Sequence, residues 1–250
     1  MFTPNTDRIK KLAEKYSKRI SDLEVMFDRP TKLYIDFANV RPWSEQLGWH
    51  IDLPRVKQFF DSFDMVKDIS VYNGLLCGDL VSEHENKTFA KYYGSSYITK
   101  NVKVTKKSIN MSSVSKHSPD ILKSFVRASL LNELKIKTVD YLNEELLVMN
   151  QRGVFYLEDR KCNFDVEIGG DIYLDLERNS YDCFVLWSGD SDFAHPVSKL
   201  LDNGKRVFLF ATTGRISYEL NDLRQKGLEI YDIRKIRDFI CWKKEMLIKV

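Results

Sequence analysis

The sequence has few cysteines and no long apolar stretch, and each absence excludes a class of protein. Its 250 residues include four cysteines, scattered without CxxC spacing, so we expect neither a zinc knuckle nor a disulfide framework. Cys183 lies inside an apolar run, where a reduced thiol behaves as a small hydrophobic side chain. No stretch reaches the roughly 18 consecutive apolar residues that a membrane-spanning helix needs, so no membrane partner is expected.

The N-terminal segment also lacks the features of a secretory signal. Residues 1–30 are polar, carry charges of both signs, and contain no apolar segment followed by a cleavage site of small residues. We therefore expect a cytoplasmic protein. Phosphate-binding loops of the GxGxxG or Walker type are absent as well, which argues against a nucleotide cofactor.

The charge balance neither requires nor excludes a nucleic-acid partner, because the formal net charge is only +3. Clustering is more informative than the total. Residues 100–116 include no acid and five lysines: Lys100, Lys103, Lys106, Lys107 and Lys116. Basic segments attract phosphate backbones through counterion release, so this one predicts a nucleic-acid contact. A solvated loop is the alternative interpretation.

Short apolar runs alternate with segments of helical spacing along most of the chain. The patterns predict strands at 32–37, 68–74, 182–187, 206–211 and 228–231, and helices at 7–26, 54–63, 82–93, 164–178, 193–203 and 216–226. In the helix at 164–178, the side expected to face the sheet is the stripe Val166, Gly169, Gly170, Tyr173 and Leu176. This alternation predicts an α/β fold whose central sheet is parallel, with helices on both faces.

Residues 112–158 interrupt this alternation and are predicted to be an insertion made of a helix and a hairpin. The helix would begin near Pro119, which suits a first helical turn, and end at Leu134. Residues 102–109 and 137–142 are possible strands. The hairpin would pair 145–149 with 154–157 around Asn150-Gln151-Arg152-Gly153.

Acidic residues occur where function is expected in a parallel sheet, at the carboxyl ends of the strands. Asp36 ends the strand at 32–37, and the strand at 182–187 is followed by Ser188-Gly189-Asp190-Ser191-Asp192. Asp165 begins a helix just after the insertion. Taken singly, Asp36 and Asp165 could be turn or helix caps, and the other two acids could form an Asx-type turn.

Together, these four carboxylates predict a metal site, because crowded like charges repel one another unless a cation neutralises them. Hard oxygen ligands favour Mg²⁺ or Mn²⁺ over zinc. A metal held in this way lowers the pKa of a bound water and screens charge on a phosphate, which is the chemistry of phosphodiester hydrolysis. Asp171 and Asp175 do not share the helix face of Asp165, so we expect both to be solvated. His195 is expected on a helix surface.

These motifs resemble the NYN domain of the PIN-like nuclease superfamily, in particular its LabA-like branch. The matching segments are 34–40 (YIDFANV), 161–166 (KCNFDV) with Gly169, Gly170 and Asp171, 188–193 (SGDSDF), 204–207 (GKRV), 217–220 (SYEL) and 231–233 (YDI). The resemblance extends over roughly residues 32–233 and is weak between residues 78 and 160. It implies a three-layer α/β/α domain over 31–234. The insertion at 112–158 and a helical extension at 1–30 depart from the family pattern, and a tail at 235–250 follows the domain.

The resemblance also implies a metal-dependent nuclease that cuts RNA. The residues that it assigns to the site are Asp36, Asp165 and Asp190 as metal ligands, Asp192 as a nearby fourth acid, and Asn39, Ser188 and Lys161. Asn39 would hydrogen-bond a metal ligand or the phosphate, Ser188 would orient Asp190 or a water, and Lys161 would face the substrate. A homo-oligomer is possible.

Two rival interpretations lead to other functions. Haloacid-dehalogenase chemistry needs Asp-x-Asp after the first strand, but Asp36 is followed by Phe37 and Ala38, and the strand glutamate of Toprim enzymes is absent. The second rival is a binding module, in which the same fold holds RNA or a protein without cutting.

Overall fold

Ten strands and twelve α-helices form within residues 1–245, the part of the chain that the computed structural model describes, with side chains to residue 241. The strands are β1 (Thr31–Asp36), β2 (Trp49–Ile51), β3 (Val66–Leu75), β4 (Tyr97–Asn101), β5 (Lys103–Ser108), β6 (Tyr156–Lys161), β7 (Cys183–Trp187), β8 (Arg206–Ala211), β9 (Glu229–Asp232) and β10 (Cys241–Glu245). The helices are α1 (Asp7–Lys15), α2 (Ser17–Met26), α3 (Phe37–Val40), α4 (Trp43–Leu47), α5 (Leu53–Phe60), α6 (Leu80–Tyr93), α7 (Ala128–Glu133), α8 (Ile136–Gln151), α9 (Asp165–Glu177), α10 (Ala194–Asp202), α11 (Tyr218–Asp222) and α12 (Arg237–Ile240).

The central sheet has six strands in the order β4-β3-β1-β7-β8-β9, and every neighbouring pair is parallel. Ile35 of β1 lies opposite Val71 on one side and Trp187 on the other. All residues of β1 and β7 are buried, as expected for strands covered on both faces. The predicted parallel α/β fold is therefore confirmed.

The N-terminal extension packs on this core as two helices rather than the predicted single one. Thr6 caps α1 as expected, since its hydroxyl accepts from the Ile9 amide. The helix breaks at Tyr16, whose hydroxyl donates to Asp238 near the other end of the chain. Ile9 and Leu23 are fully buried in the main core.

The C-terminal residues also form regular structure. After α12, β10 pairs antiparallel with β2. The predicted tail at 235–250 is therefore ordered structure as far as Glu245, and residues 246–250 lie outside the described residues.

Helix α9 buries a different face from the predicted one. Val166 is 85% exposed and Tyr173 is exposed as well, whereas Ile168, Ile172 and Asp175 are buried. Of the predicted stripe, Gly169 is buried and Leu176 is half-buried, while the other members are exposed. Helical spacing alone missed that the buried face includes an acid whose charge is compensated. No helix in the described range is both long and apolar enough to cross a membrane.

Residues 102–161 form a compact unit of their own, apart from the unit made by residues 1–101 and 162–250. In the smaller unit, β5 pairs antiparallel with β6, from Lys103 opposite Lys161 to Ser108 opposite Tyr156. We call this pair of strands the β5–β6 ribbon. Two small apolar clusters, around Ile109 and around Leu122, pack beneath the helices.

The local predictions within this unit were largely wrong. The predicted strands at 137–142 and 145–149 belong to helix α8, which ends before Gly153 in the left-handed region at φ 81°. Asn150-Gln151-Arg152-Gly153 is therefore a helix end and not a hairpin turn. The predicted helix at 119–134 is a 3₁₀ turn at Leu122–Ser124 followed by α7. The partner of β6 lies far away in sequence, which a local pattern does not reveal.

Candidate metal centre

Three of the predicted acids converge at the carboxyl end of the sheet. Asp165 begins α9, and Asp190 and Asp192 lie in the loop after β7. One carboxylate oxygen from each can be chosen so that all three lie within 4.8 Å of one another. Asp165 and Asp190 are half-buried and Asp192 is exposed. The sheet thus brings together acids that are up to 27 residues apart in sequence.

Asp36 lies at the buried end of β1, with 4% of its surface exposed, and is not one of those three acids. Its Oδ1 accepts the Asn39 amide at 3.3 Å, so Asp36 caps α3. Its Oδ2 accepts the Ser188 hydroxyl at 3.1 Å. The alternative interpretation of Asp36 as a cap is thus correct in geometry, and its role as a metal ligand stays a prediction.

The loop after β7 is held by a chain of short-range hydrogen bonds. Ser188 is fully buried and accepts the Asp190 amide at 3.3 Å, while the Asp192 amide donates to Asp190 Oδ1 at 3.2 Å. Gly189 leaves no room for a side chain, because an added Cβ would lie 1.6 Å from the Arg215 carbonyl oxygen. These contacts fix where the two carboxylates point.

Burial and mutual repulsion raise the pKa of two of the acids. Burial raises the pKa of Asp36 to about 6, and the charges of Asp165 and Asp190 act in the same direction, against hydrogen bonds from Asn39 and Ser188. Burial also raises the pKa of Asp165 to about 6, and the neighbouring Asp192 and Asp190 contribute further. Both acids therefore resist ionisation in the metal-free protein, as expected for crowded carboxylates.

The donor set fits a hard divalent cation. The three clustered donors are carboxylate oxygens, which Mg²⁺ and Mn²⁺ prefer, and neither histidine nor cysteine belongs to the cluster. A cation would neutralise the repulsion that raises the pKa of Asp165. Asp165 is not the helix N-cap that the alternative interpretation required, because Phe164 occupies that position.

An open groove of about 600 Å³ lies beside the acids and includes residues that the sequence analysis did not single out. Asn39 and Asp190 line it together with Trp43 and Arg215. Arg215 Nε donates to Gln46 Oε1 at 2.8 Å and the side chain is otherwise exposed. The sequence could have revealed Arg215 through its position just after β8, because the loop there lies at the same sheet edge as the acids.

The expectation that Asp171 and Asp175 are solvated was wrong. Asp175 is 7% exposed, and its Oδ2 accepts the Lys32 ammonium and the Tyr34 hydroxyl, both at 2.6 Å. Asp171 accepts the Tyr72 hydroxyl at 2.6 Å. Both acids turn away from Asp165, as helical pitch requires, but they face the sheet and not the solvent.

The predicted basic residues divide between the two units. Lys100 lies on β4 in the sheet-bearing unit, where its Nζ is 2.6 Å from Glu167 Oε1 and 4.6 Å from the centre of the Phe164 ring. The smaller unit holds Lys103, Lys106 and Lys107 on β5, Lys161 on β6, and Lys116. His195 is exposed on α10 beside Tyr173, as expected for a surface residue.

Similarities in sequence and structure connect this chain to known proteins. The family model of the NYN domain matches residues 30–230. Over 75 residues, 30% of this chain, the sequence is 32% identical to the low amplitude and bright protein LabA of Synechococcus elongatus, and the match spans 39% of that protein. A crystal structure of a protein of unknown function from Vibrio parahaemolyticus aligns over 85% of this chain and 95% of its own, with 13% identity and a TM-score of 0.46.

Proposed function

This chain belongs to the NYN domain family of the PIN-like nuclease superfamily, and from that premise we propose that it is a Mg²⁺- or Mn²⁺-dependent ribonuclease. The observation that carries the proposal is the convergence of Asp165, Asp190 and Asp192 within 4.8 Å at the carboxyl end of a parallel sheet. Ligands and catalytic groups of open α/β sheets gather at that edge.

In this proposal Asp165, Asp190 and Asp192 hold the metal, and Asp36 completes the acidic site from the end of β1. A bound ion would supply charge neutralisation and a more acidic water, which phosphodiester hydrolysis at neutral pH requires. Ser188 connects the two halves of the site, since it donates to Asp36 and accepts from the Asp190 amide. It therefore acts as a positioning residue.

Substrate binding would fall to two sets of polar and basic groups, one in each unit. Asn39 lines the groove beside Asp190, where its side chain can hydrogen-bond a phosphate oxygen. Arg215 lines the same groove with a guanidinium that suits phosphate. The lysines of the β5–β6 ribbon, which are Lys103, Lys106, Lys107 and Lys161, would add sequence-independent contacts to the RNA backbone.

The test is incubation of purified protein with labelled single-stranded RNA, duplex RNA and DNA in Mg²⁺, Mn²⁺ or EDTA. We expect cleavage of RNA that EDTA abolishes. Asp190→Asn keeps the shape of the side chain but removes a charge, and should lower the rate on the order of 100-fold or more. Asp222→Asn, which changes an exposed acid on α11, is the matched control and should cleave as the parent does.

A binding measurement separates this proposal from a binding module. Mn²⁺ should raise the melting temperature of the parent and of Asp222→Asn, but not that of Asp190→Asn. A protein that binds RNA in EDTA and in Mn²⁺ alike, without cleavage under any condition, would contradict the enzyme and support the binding module.

A further inference from the structure

A second cavity, of about 490 Å³, lies next to the acidic end of β1 and has no role in the proposed metal chemistry. Helix α3, which follows Asp36 directly, separates it from the groove that holds Asp190. Phe37 and Arg41, four residues apart, line the cavity, while Ala38 and Pro42 line the groove. One side of the segment 37–42 thus lines the cavity, and the other side lines the groove.

The walls of the cavity are mainly apolar and aromatic. Phe37 and Phe89 pack edge to face, with ring centroids 6.0 Å apart at 83°, and both rings contribute to the lining. Pro54 adds aliphatic surface at the start of α5, beside the fully buried Leu53. A volume of this size with apolar walls and some polar groups is typical of sites for small molecules.

The polar lining of the cavity consists of one charged pair, Arg41 with Glu85, together with Ser44, His50, Asp52, His84 and Thr88. Arg41 Nη1 lies 2.9 Å from Glu85 Oε2. That oxygen is shielded from solvent. The side chains of Arg41 and Glu85 are nonetheless 48% and 33% exposed, so other atoms of the pair are open to a ligand. A carboxylate accepts from N–H donors, and a guanidinium suits phosphate.

We propose that this cavity binds a nucleobase of the substrate strand, in the nucleotide that flanks the cut. The partly exposed Phe89 ring offers a stacking surface, Glu85 accepts from the exocyclic amino group of adenine, cytosine or guanine, and Arg41 faces the adjoining phosphate. Uracil lacks that amino group and binds less well. This inference rests on the proposed nuclease function, because the strand that places the base here also runs to the acids.

The first test measures binding of nucleoside monophosphates to the intact chain in EDTA, where no cleavage occurs. Ribose 5-phosphate, which lacks the base, should bind about tenfold more weakly than AMP, CMP or GMP, and UMP should lie between them. Thr88→Phe places a ring in the cavity from α6 and should weaken AMP binding about tenfold, in the range seen when base stacking is lost. Lys87→Phe, its exposed neighbour on α6, is the matched control and should bind as the parent does.

A second test identifies the source of the base. In an RNA with one cleavage site, an abasic residue is moved along the strand, and we expect kcat/KM to fall about tenfold at one fixed position beside the cut. Thr88→Phe should remove that sensitivity. AMP should act as a competitive inhibitor. A drop at no position, together with tight AMP binding, would overturn the assignment to the substrate strand and indicate a site for free nucleotides.

The binding experiment tests whether the cavity binds a base, independently of the nuclease proposal. Failure of the chain to cleave RNA would contradict the proposed function, whereas the EDTA titrations would still report whether a base binds. The inference is overturned if ribose 5-phosphate binds as well as AMP, or if Thr88→Phe and the parent bind AMP equally.

Discussion

The Tyr34 hydroxyl donates a 2.6 Å hydrogen bond to Asp175 Oδ2 and thereby joins the central strand β1 to helix α9. The same oxygen accepts the Lys32 ammonium at 2.6 Å. Strand β1 ends at Asp36, and α9 begins at Asp165. The contact therefore fixes the relative position of two elements that each supply an acid to the proposed site.

Asp175→Asn should destabilise the protein by about 2–4 kcal/mol, because it removes the charge that compensates the buried Lys32. Burial acts to lower the pKa of Lys32, but the carboxylates of Asp175 and Asp68 outweigh it, so the pKa is raised and the ammonium stays charged. Urea denaturation measures the change. The control Asp171→Asn keeps an acceptor for Tyr72 on the same helix and should cost less than about 1 kcal/mol. Equal stability of both variants would contradict the buried ion pair.

The sheet was predictable because its strands are short apolar runs that local patterns report well. Residues 182–187 and 206–211 are continuous hydrophobic segments separated by a helix, and both became inner strands. The same logic located Asp190 at a strand end. The burial of Asp175 could not be predicted in this way, because its partners Lys32 and Tyr34 come from a distant part of the sequence.

The smaller unit was harder to predict for a physical reason. Strand β6 is rich in charge and pairs only with β5, more than forty residues earlier, so its partner decides its conformation. Helix α8 has apolar residues at helical spacing, but Asn150 and Gly153 at its end also suit a tight turn. Turn chemistry and helix capping use the same residue types, and only the packing distinguishes them.

Gly189→Ala should disrupt the acidic site without touching an acid. Its Cβ would meet the Arg215 carbonyl oxygen at 1.6 Å, so the loop with Asp190 and Asp192 must move. A displacement near 1 Å in such a site lowers activity on the order of 100-fold. Steady-state cleavage rates and melting temperatures test this. The control Gly170→Ala meets nothing within 4 Å, should keep full activity, and should stabilise α9 by up to about 1 kcal/mol. An active Gly189→Ala protein would contradict the close packing.

The metal-free protein should become more stable as the pH falls from 7.5 to 5. Burial raises the pKa of Asp36 to about 6, above the ordinary value of 3.8 for an aspartate, so the folded state binds this proton more tightly than the unfolded state. The stability contributed by protonated Asp36 is complete below about pH 4 and is lost as the pH rises through 6. We expect a gain of about 1.4 kcal/mol from this group in urea denaturation with EDTA at pH 5.

Two controls accompany this prediction. Asp36→Asn removes one titrating group and should reduce the dependence on pH, leaving the part that comes from Asp165, and Mn²⁺ at pH 7.5 should stabilise the parent by neutralising the same charges. A metal-free parent that loses stability between pH 7.5 and 5 would contradict the raised pKa of Asp36.

The lysines of the β5–β6 ribbon should contribute unequally to RNA binding. Lys107 and Lys161 share Asp159, at 3.1 and 3.9 Å, whereas Lys103 and Lys106 form no ion pair with any described residue. Each released phosphate contact changes the slope of log K against log salt by about 0.7 for a single strand, so the double change Lys103→Ala with Lys106→Ala should flatten it by about 1.4. Lys107→Ala should change it less, because Asp159 already neutralises much of that charge. Filter binding of Asp190→Asn protein between 50 and 200 mM salt keeps cleavage out of the measurement. An unchanged slope in the double variant would show that the ribbon is a solvated surface without an RNA contact.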